Sequence, residues 1–473
     1  VNAINIAANT TLTMSNTATV AFAANTGTAT FSGAGASSVL DLGMITTATA
    51  SDFKRITLNN INLTNMSIRL SGTSAGAGSY KGFVVASGSS SIGANITNNT
   101  TDAFAIGANS GATLNLYGVI SGSGRVALSS GQTGGAGTMN LYSASTYTGA
   151  TEFNGGTNMT VRLQTNNAIS TVSSLQHGTI SGANGGNLDL NGFNQTLVGI
   201  SSGGGSGRIT NSVAGLSTLT VNQAGNSSYG FSASGSGIGG NIALVKGDVG
   251  NLTLTGSNNY SGGTTVNGGT LTASNAAALG SGSVTVGSGA TLSVRANVTN
   301  TVANSGTVSI GSGGTLTAAS LGTGALSLAG ASGAGNSAAF VSTQSGSSLN
   351  VGAVTLGGYS SYSMASDKSL SSSGVITLSG TGNTITLTGT TLGVGTYNLF
   401  TGTSISKGSL SAGGLKLGGA GISNLSLDLD GSQTLVGRTS YDFVSTATAL
   451  QLVVGGGGAF NVVWNGGDGA WDT

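Results

Sequence analysis

The sequence predicts an all-β chain wound as a single-stranded parallel β-helix, a right-handed β-solenoid. Three observations carry this. Apolar and polar residues alternate strictly in short runs along the chain, as in Thr113-Leu114-Asn115-Leu116, Asn187-Leu188-Asp189-Leu190, Leu252-Thr253-Leu254, Val354-Thr355-Leu356 and Ile385-Thr386-Leu387. Period two with one apolar face is the signature of a half-buried strand. Gly, Asn or Ser separates the runs about every 8 to 12 residues, where a coil must turn a corner. The pattern also persists far beyond the length of one sandwich, and segments repeat each other.

Composition narrows the class further. The 473 residues include 85 glycines and no proline or cysteine. Disulfides, thiolate metal sites and cysteine nucleophiles are therefore excluded. Absent proline suits strands that lie between two neighbours and need every N–H. Lys and Arg total 13, Asp and Glu 12, for a net charge of +1 with one histidine. That balance gives no field for nucleic acid. Hydrophobic residues are 38% of the chain, too many for a disordered segment, which is polar and highly charged. No apolar run is long enough for a transmembrane helix. The chain opens at Val1 without the charged and apolar regions of a signal peptide, as expected of a processed chain or a stretch of a longer one.

Two stretches repeat most clearly, 119–190 and 238–294. The first contains Tyr147-Thr-Gly149-Ala-Thr151 followed by Asn154-Gly155-Gly156-Thr157. The second contains Tyr260-Ser-Gly262-Gly-Thr264 followed by Asn267-Gly268-Gly269-Thr270. The pattern resembles the autotransporter-associated β-strand repeat of passenger proteins secreted by bacteria with two membranes. The C-terminal segment, with Val463-Trp464-Asn-Gly466-Gly467 and Trp471-Asp472, is similar to the tryptophan-bearing junctions between passenger modules. The expected organisation is a continuous solenoid over 1–453, then a junction over 454–473 leading to a following module. The resemblance implies an extracellular or cell-surface chain that is one module of a larger protein.

With roughly 20 residues per coil, the chain would make on the order of 20 to 25 coils, a rod of about 100 to 120 Å. The function expected of such a rod is structural or adhesive, with end-to-end or lateral assembly into extracellular filaments. Its expected partners are other copies or modules and a surface glycan or host matrix ligand, with no cofactor and no metal. Two alternatives are a polysaccharide-active β-helix enzyme and an ice-binding solenoid.

Several residues invite chemistry and carry a plainer reading beside it. Asp428 and Asp430 alternate with leucines, so both carboxylates fall on one strand face, as in a glycosidase or metal site, or on an ordinary solvated face. An enzyme would need a cleft gathering three or more of Asp189, Asp248, Arg208, Lys246 and His177. Gly72-Thr-Ser74-Ala-Gly76 matches a nucleophile elbow without the strand-turn-helix setting that motif needs. Gly466-Gly-Asp468 resembles part of a calcium-binding nonapeptide with Trp471 where an aspartate belongs. Tyr147 and Tyr260 are read as corner packing, with an outer stacking platform as the alternative. Asn9, Asn95, Asn98 and Asn99 head glycosylation sequons that an Asn/Thr-rich chain produces by accident. Thr384, Thr386 and Thr388 resemble one row of an ice-binding array, which needs the same row on every coil.

Overall fold

The computed structural model describes the strands between Ala3 and Gly456 and most of their connections within 80–456; 457–473 and several short connections, 129–135 and 154–158 among them, lie outside the described residues. Among the described residues there is no helix, and hence none long and apolar enough to cross a membrane, which says nothing of β-barrels. The chain divides into two units, Val1–Val308 and Ser309–Thr473.

In the first unit the strands pair in parallel, each with its counterpart one coil away. One sheet runs through eleven strands, from Ala3–Ile6 to Asn259–Tyr260. Consecutive strands in sequence belong to different sheets: Ser89–Ile92, Asn95–Asn98 and Ala103–Ala108 lie in three separate sheets, so one coil has three sides. Alternation decides which side chains turn inward. Leu114, Met139, Val161, Leu188, Ile209 and Ile238 stack in register as one buried column. Their neighbours Thr113, Thr138, Thr160 and Asn187 form an outward polar row.

The coil is longer than the strand spacing suggests. Residue 20 pairs with residue 56, and residue 284 with residue 302, which bracket the coil at 36 and 18 residues. A three-sided coil accounts for the difference, because two corners and a third strand add residues to each turn. The expectation of 20 to 25 coils was therefore too high. Eleven rungs of the long sheet correspond to about 50 Å at the usual strand separation.

The second unit repeats the three-sided pattern. Thr315–Ala318, Ala338–Ser342, Ser360–Ala365, Asn383–Thr388 and Leu415–Gly419 stack in parallel. Their inward column is Leu316, Phe340, Tyr362, Ile385 and Leu417. Near its end the pairing changes sense. Ile422–Leu427 pairs antiparallel with Leu415–Gly419, and Ala449–Gly456 pairs antiparallel with Gly395–Thr401 and with Thr439–Ser445. Antiparallel neighbours need only a short turn, and here they become the last strands of their sheets, Ile422–Leu427 in one and Thr434–Val436 in the other.

Because each coil touches mainly its neighbours, damage should stay local. Leu188→Ala is expected to cost about 2 to 5 kcal/mol. Amide exchange should accelerate in Thr160–Leu163, Asn187–Asp189 and Arg208–Asn211 while Ala103–Ala108 keeps its protection; uniform acceleration across the first unit would contradict nearest-neighbour stacking.

Candidate functional site

The two repeat copies build the same corner. Tyr147 is buried and its hydroxyl lies 2.6 Å from Thr151 Oγ1. Tyr260 is buried and its hydroxyl lies 2.5 Å from Thr264 Oγ1. The four-residue spacing brings the two hydroxyls together inside the coil, so the polar end of a large ring is satisfied without water. Burial raises the Tyr147 phenol to about 12, offset by its Thr151, Ser170 and Ser173 partners, and it raises Tyr260 as well, offset by Thr264. Ser173 extends the first network, donating to the Gly149 carbonyl at 2.7 Å and lying 2.8 Å from Thr151 Oγ1.

Glycine sits between Tyr and Thr because the adjacent coil passes there. A Cβ on Gly149 would lie 2.3 Å from the Gly124 carbonyl oxygen, and one on Gly262 would lie 2.6 Å from Ala243 N. The Gly-Gly element of the second copy is equally confined. Gly269 has φ 58° and a Cβ there would lie 2.4 Å from Gly250 O, while one on Gly268 would lie 3.1 Å from Asp248 O. Gly155 and Gly156 of the first copy, and Trp464 and Trp471 of the C-terminal segment, lie outside the described residues. So do Asp428, Asp468, Asn9 and Gly72 to Gly76.

A lysine completes the second corner. Lys246 is fully buried, and its ammonium donates to the carbonyls of Gly247 at 2.5 Å, Asp248 at 2.9 Å and Gly268 at 3.2 Å. Burial lowers its pKa, and the nearby Asp248 charge opposes that. Lys246 ties the Gly247–Asp248 turn to the Gly268 turn of the next coil. The sequence considered it only as part of a cleft. Its phase was the missed signal, since Ile242, Leu244 and Lys246 share the inward face.

The other candidates are engaged where they stand. His177 is fully buried against the Phe153 ring, with centroids 4.6 Å apart, and its Nδ1 lies 3.2 Å from the Tyr229 hydroxyl. Burial lowers it to about 3; the Gly186 backbone, close by without a closed hydrogen bond to Nε2, pulls weakly the other way. Asp189 accepts from Arg162 Nε at 3.0 Å, Ser212 Oγ at 2.7 Å and Asn191 N at 3.0 Å. Asp248 stands at its turn with φ 60°, and Arg208 occupies the outward row beside Asn187. Asp430 accepts from Lys407, 23 residues away in sequence, and from Ser445 N at 2.5 Å. That basic partner was invisible in the local sequence. Burial tends to raise the Asp430 pKa, but hydrogen bonds from Lys407 and Ser445 hold it below the usual value.

Asn95, Asn98 and Asn99 serve the adjacent coil. Asn95 Oδ1 accepts from Val119 N at 2.9 Å, buried Asn98 donates to Arg125 O at 3.1 Å, and Asn99 Oδ1 accepts from Ser123 N at 3.2 Å. The threonine row does not repeat: Thr384 pairs with Ser361 and Lys416, and Thr386 with Ser363 and Gly418.

Together, the stacked coils and twice-built Tyr-x-Gly-x-Thr corner define a repeat solenoid. A passenger-associated-transport-repeat model matches residues 134–157 and 244–273, the stretches that hold both corners. The chain is a β-solenoid that carries two passenger-associated transport repeats, in keeping with the resemblance to the autotransporter-associated strand repeat. It is also 33% identical over 160 residues to "Adhesin BmaC autotransporter" of Brucella suis biovar 1 (strain 1330). That stretch covers 34% of this chain and 4% of the adhesin.

Two measurements test this reading of the interior. Tyr260→Phe leaves the Thr264 hydroxyl without its ring partner and should cost about 1 to 2 kcal/mol, whereas Tyr260→Phe with Thr264→Val should cost less than the sum of the two single changes. Additive single effects, measured by amide exchange at Asn251–Leu254 and Thr270–Ala273, would remove the pairing role.

His177 sets a pH dependence. The unfolded imidazole binds its proton near pH 6.5 and the folded one only near 3, so its stability contribution is intact above 6.5 and falls as pH drops through that window. The loss should reach about 1.5 kcal/mol by pH 5.5. A His177→Gln variant should show a flatter slope between pH 6.5 and 5.5; an unchanged slope would refute the assignment.

Proposed function

We propose that this chain is part of an exported, cell-surface passenger whose stacked coils act as an adhesive or structural element outside the cell. The observation that carries the reading is the paired repeat corner, which coincides with both transport-repeat matches. Similarity to an autotransporter adhesin supports the adhesive role. The chemistry of the outer surface is consistent with it, since Thr, Ser and Asn rows line the outward faces of the strands.

Assembly into filaments is part of the proposal in its lateral form. Low net charge leaves little repulsion between copies. End-on joining at the close of the second unit would use the antiparallel strands Ile422–Leu427 and Thr434–Val436, which end their sheets there.

Antibodies to the folded chain should label intact cells of the native bacterium, and deletion of the segment should reduce attachment to host matrix or to neighbouring cells. Labelling only after permeabilisation, or unchanged attachment after deletion, would overturn the adhesive reading. Side-by-side bundles in electron micrographs of undenatured material are the expected form, and dispersed single particles would remove the filament part.

A further inference from the structure

The tyrosines flagged by the repeat lie in the core, but two others form an outer platform. Tyr117 and Tyr142 stack with centroids 4.3 Å apart and planes at 18°, and they remain 49% and 37% exposed. Each follows an alternating strand in the outward phase, and Tyr142 N donates to Leu116 O one coil below. On the preceding coil the corresponding position is Gly93, which is exposed and carries no side chain, so the free face of the Tyr117 ring is left open.

A polar row runs beside the rings. Asn140 Nδ2 donates to Asn115 Oδ1 at 2.9 Å, and Gln164 Nε2 donates to Asn140 Oδ1 at 3.3 Å. This ladder fixes the amides and uses one group of each terminal member. Asn115 Nδ2 and Gln164 Oε1, a donor and an acceptor, remain for a ligand. The next residue of the row, Arg162, is neutralised by Asp189 at 3.0 Å.

We infer that the Tyr117–Tyr142 stack and its amide ladder form a binding site for an uncharged polysaccharide running along the solenoid axis. A sugar ring offers a C–H face to an aromatic ring and a rim of hydroxyls that both donate and accept, which match the exposed ring face and the amide groups of this surface. An extended peptide is less suited, because Thr113–Leu116 is already paired on both sides and offers no free edge for strand addition. A polyanion is less suited, because the row carries no surplus positive charge. The inference rests on the surface-exposed reading above and gives it a ligand class.

The test is affinity electrophoresis of the whole chain in gels containing laminarin, hydroxyethyl cellulose, mannan or dextran, with heparin as the charged comparison. At least one neutral polymer should retard the protein, and added salt should not abolish the effect. Tyr117→Ala with Tyr142→Ala should weaken binding by about tenfold or more, while Tyr117→Phe with Tyr142→Phe keeps the ring faces and should stay within a few-fold. Retardation by none of the neutral polymers, equal binding by the alanine pair, or binding to heparin alone would overturn the site. Should attachment be lost on deletion while no polysaccharide binds, the adhesive role stands and the glycan site fails. Should the purified chain bind glycan while deletion leaves attachment unchanged, the site stands and the adhesive role fails.

Discussion

The whole structure depends on in-register stacking of one coil on the next. Parallel strands hydrogen-bond along the axis, so each residue sits about 4.8 Å from its counterpart. Whatever a coil places at a position must tolerate a neighbour of the same phase above and below. Apolar columns follow directly, because Leu, Val, Ile and Met shield one another when stacked. The same spacing explains the glycines of the repeat. At Gly149 and Gly262 the backbone of the adjacent coil occupies the space of a Cβ, so the requirement comes from contact between coils and not from the local turn.

Stacking also governs how the interior carries polar groups. A buried hydroxyl, ammonium or imidazole is costly without a partner. The Tyr147–Thr151 and Tyr260–Thr264 pairs supply one within four residues. Lys246 takes its partners from two successive turns, so the group that needs solvation also fastens coil to coil. His177 solves the problem differently, staying neutral between Phe153 and Tyr229. The ion pairs Arg162–Asp189 and Lys407–Asp430 join residues 27 and 23 apart, and the first links neighbouring turns.

Much of this was legible in the sequence because period two is local. Alternation located the strands, and the repeated Tyr-x-Gly-x-Thr element located the corners. Coil length was not legible, since Gly, Ser and Asn mark every corner alike and nothing tells a second corner from a third. Lys407 beside Asp430 was hidden because the two stand 23 residues apart, on either side of the antiparallel reversal that local alternation does not show. The reversal to antiparallel pairing after Leu415–Gly419 leaves no mark in an alternating run, because both senses of pairing show the same two-residue period.

Phase within the alternation gives the tyrosines their different fates. Tyr117 and Tyr142 each stand one residue beyond an inward leucine, Leu116 and Leu141, and therefore point outward. Tyr147 and Tyr260 each have a threonine four residues on, which lets the ring turn in with its hydroxyl satisfied. Residue type alone does not separate the two sets; position relative to the strand does. The outer rows are thereby free to vary without disturbing the column behind them. A stacked solenoid of this kind can hold its core pattern fixed and change what its surface presents one outward residue at a time.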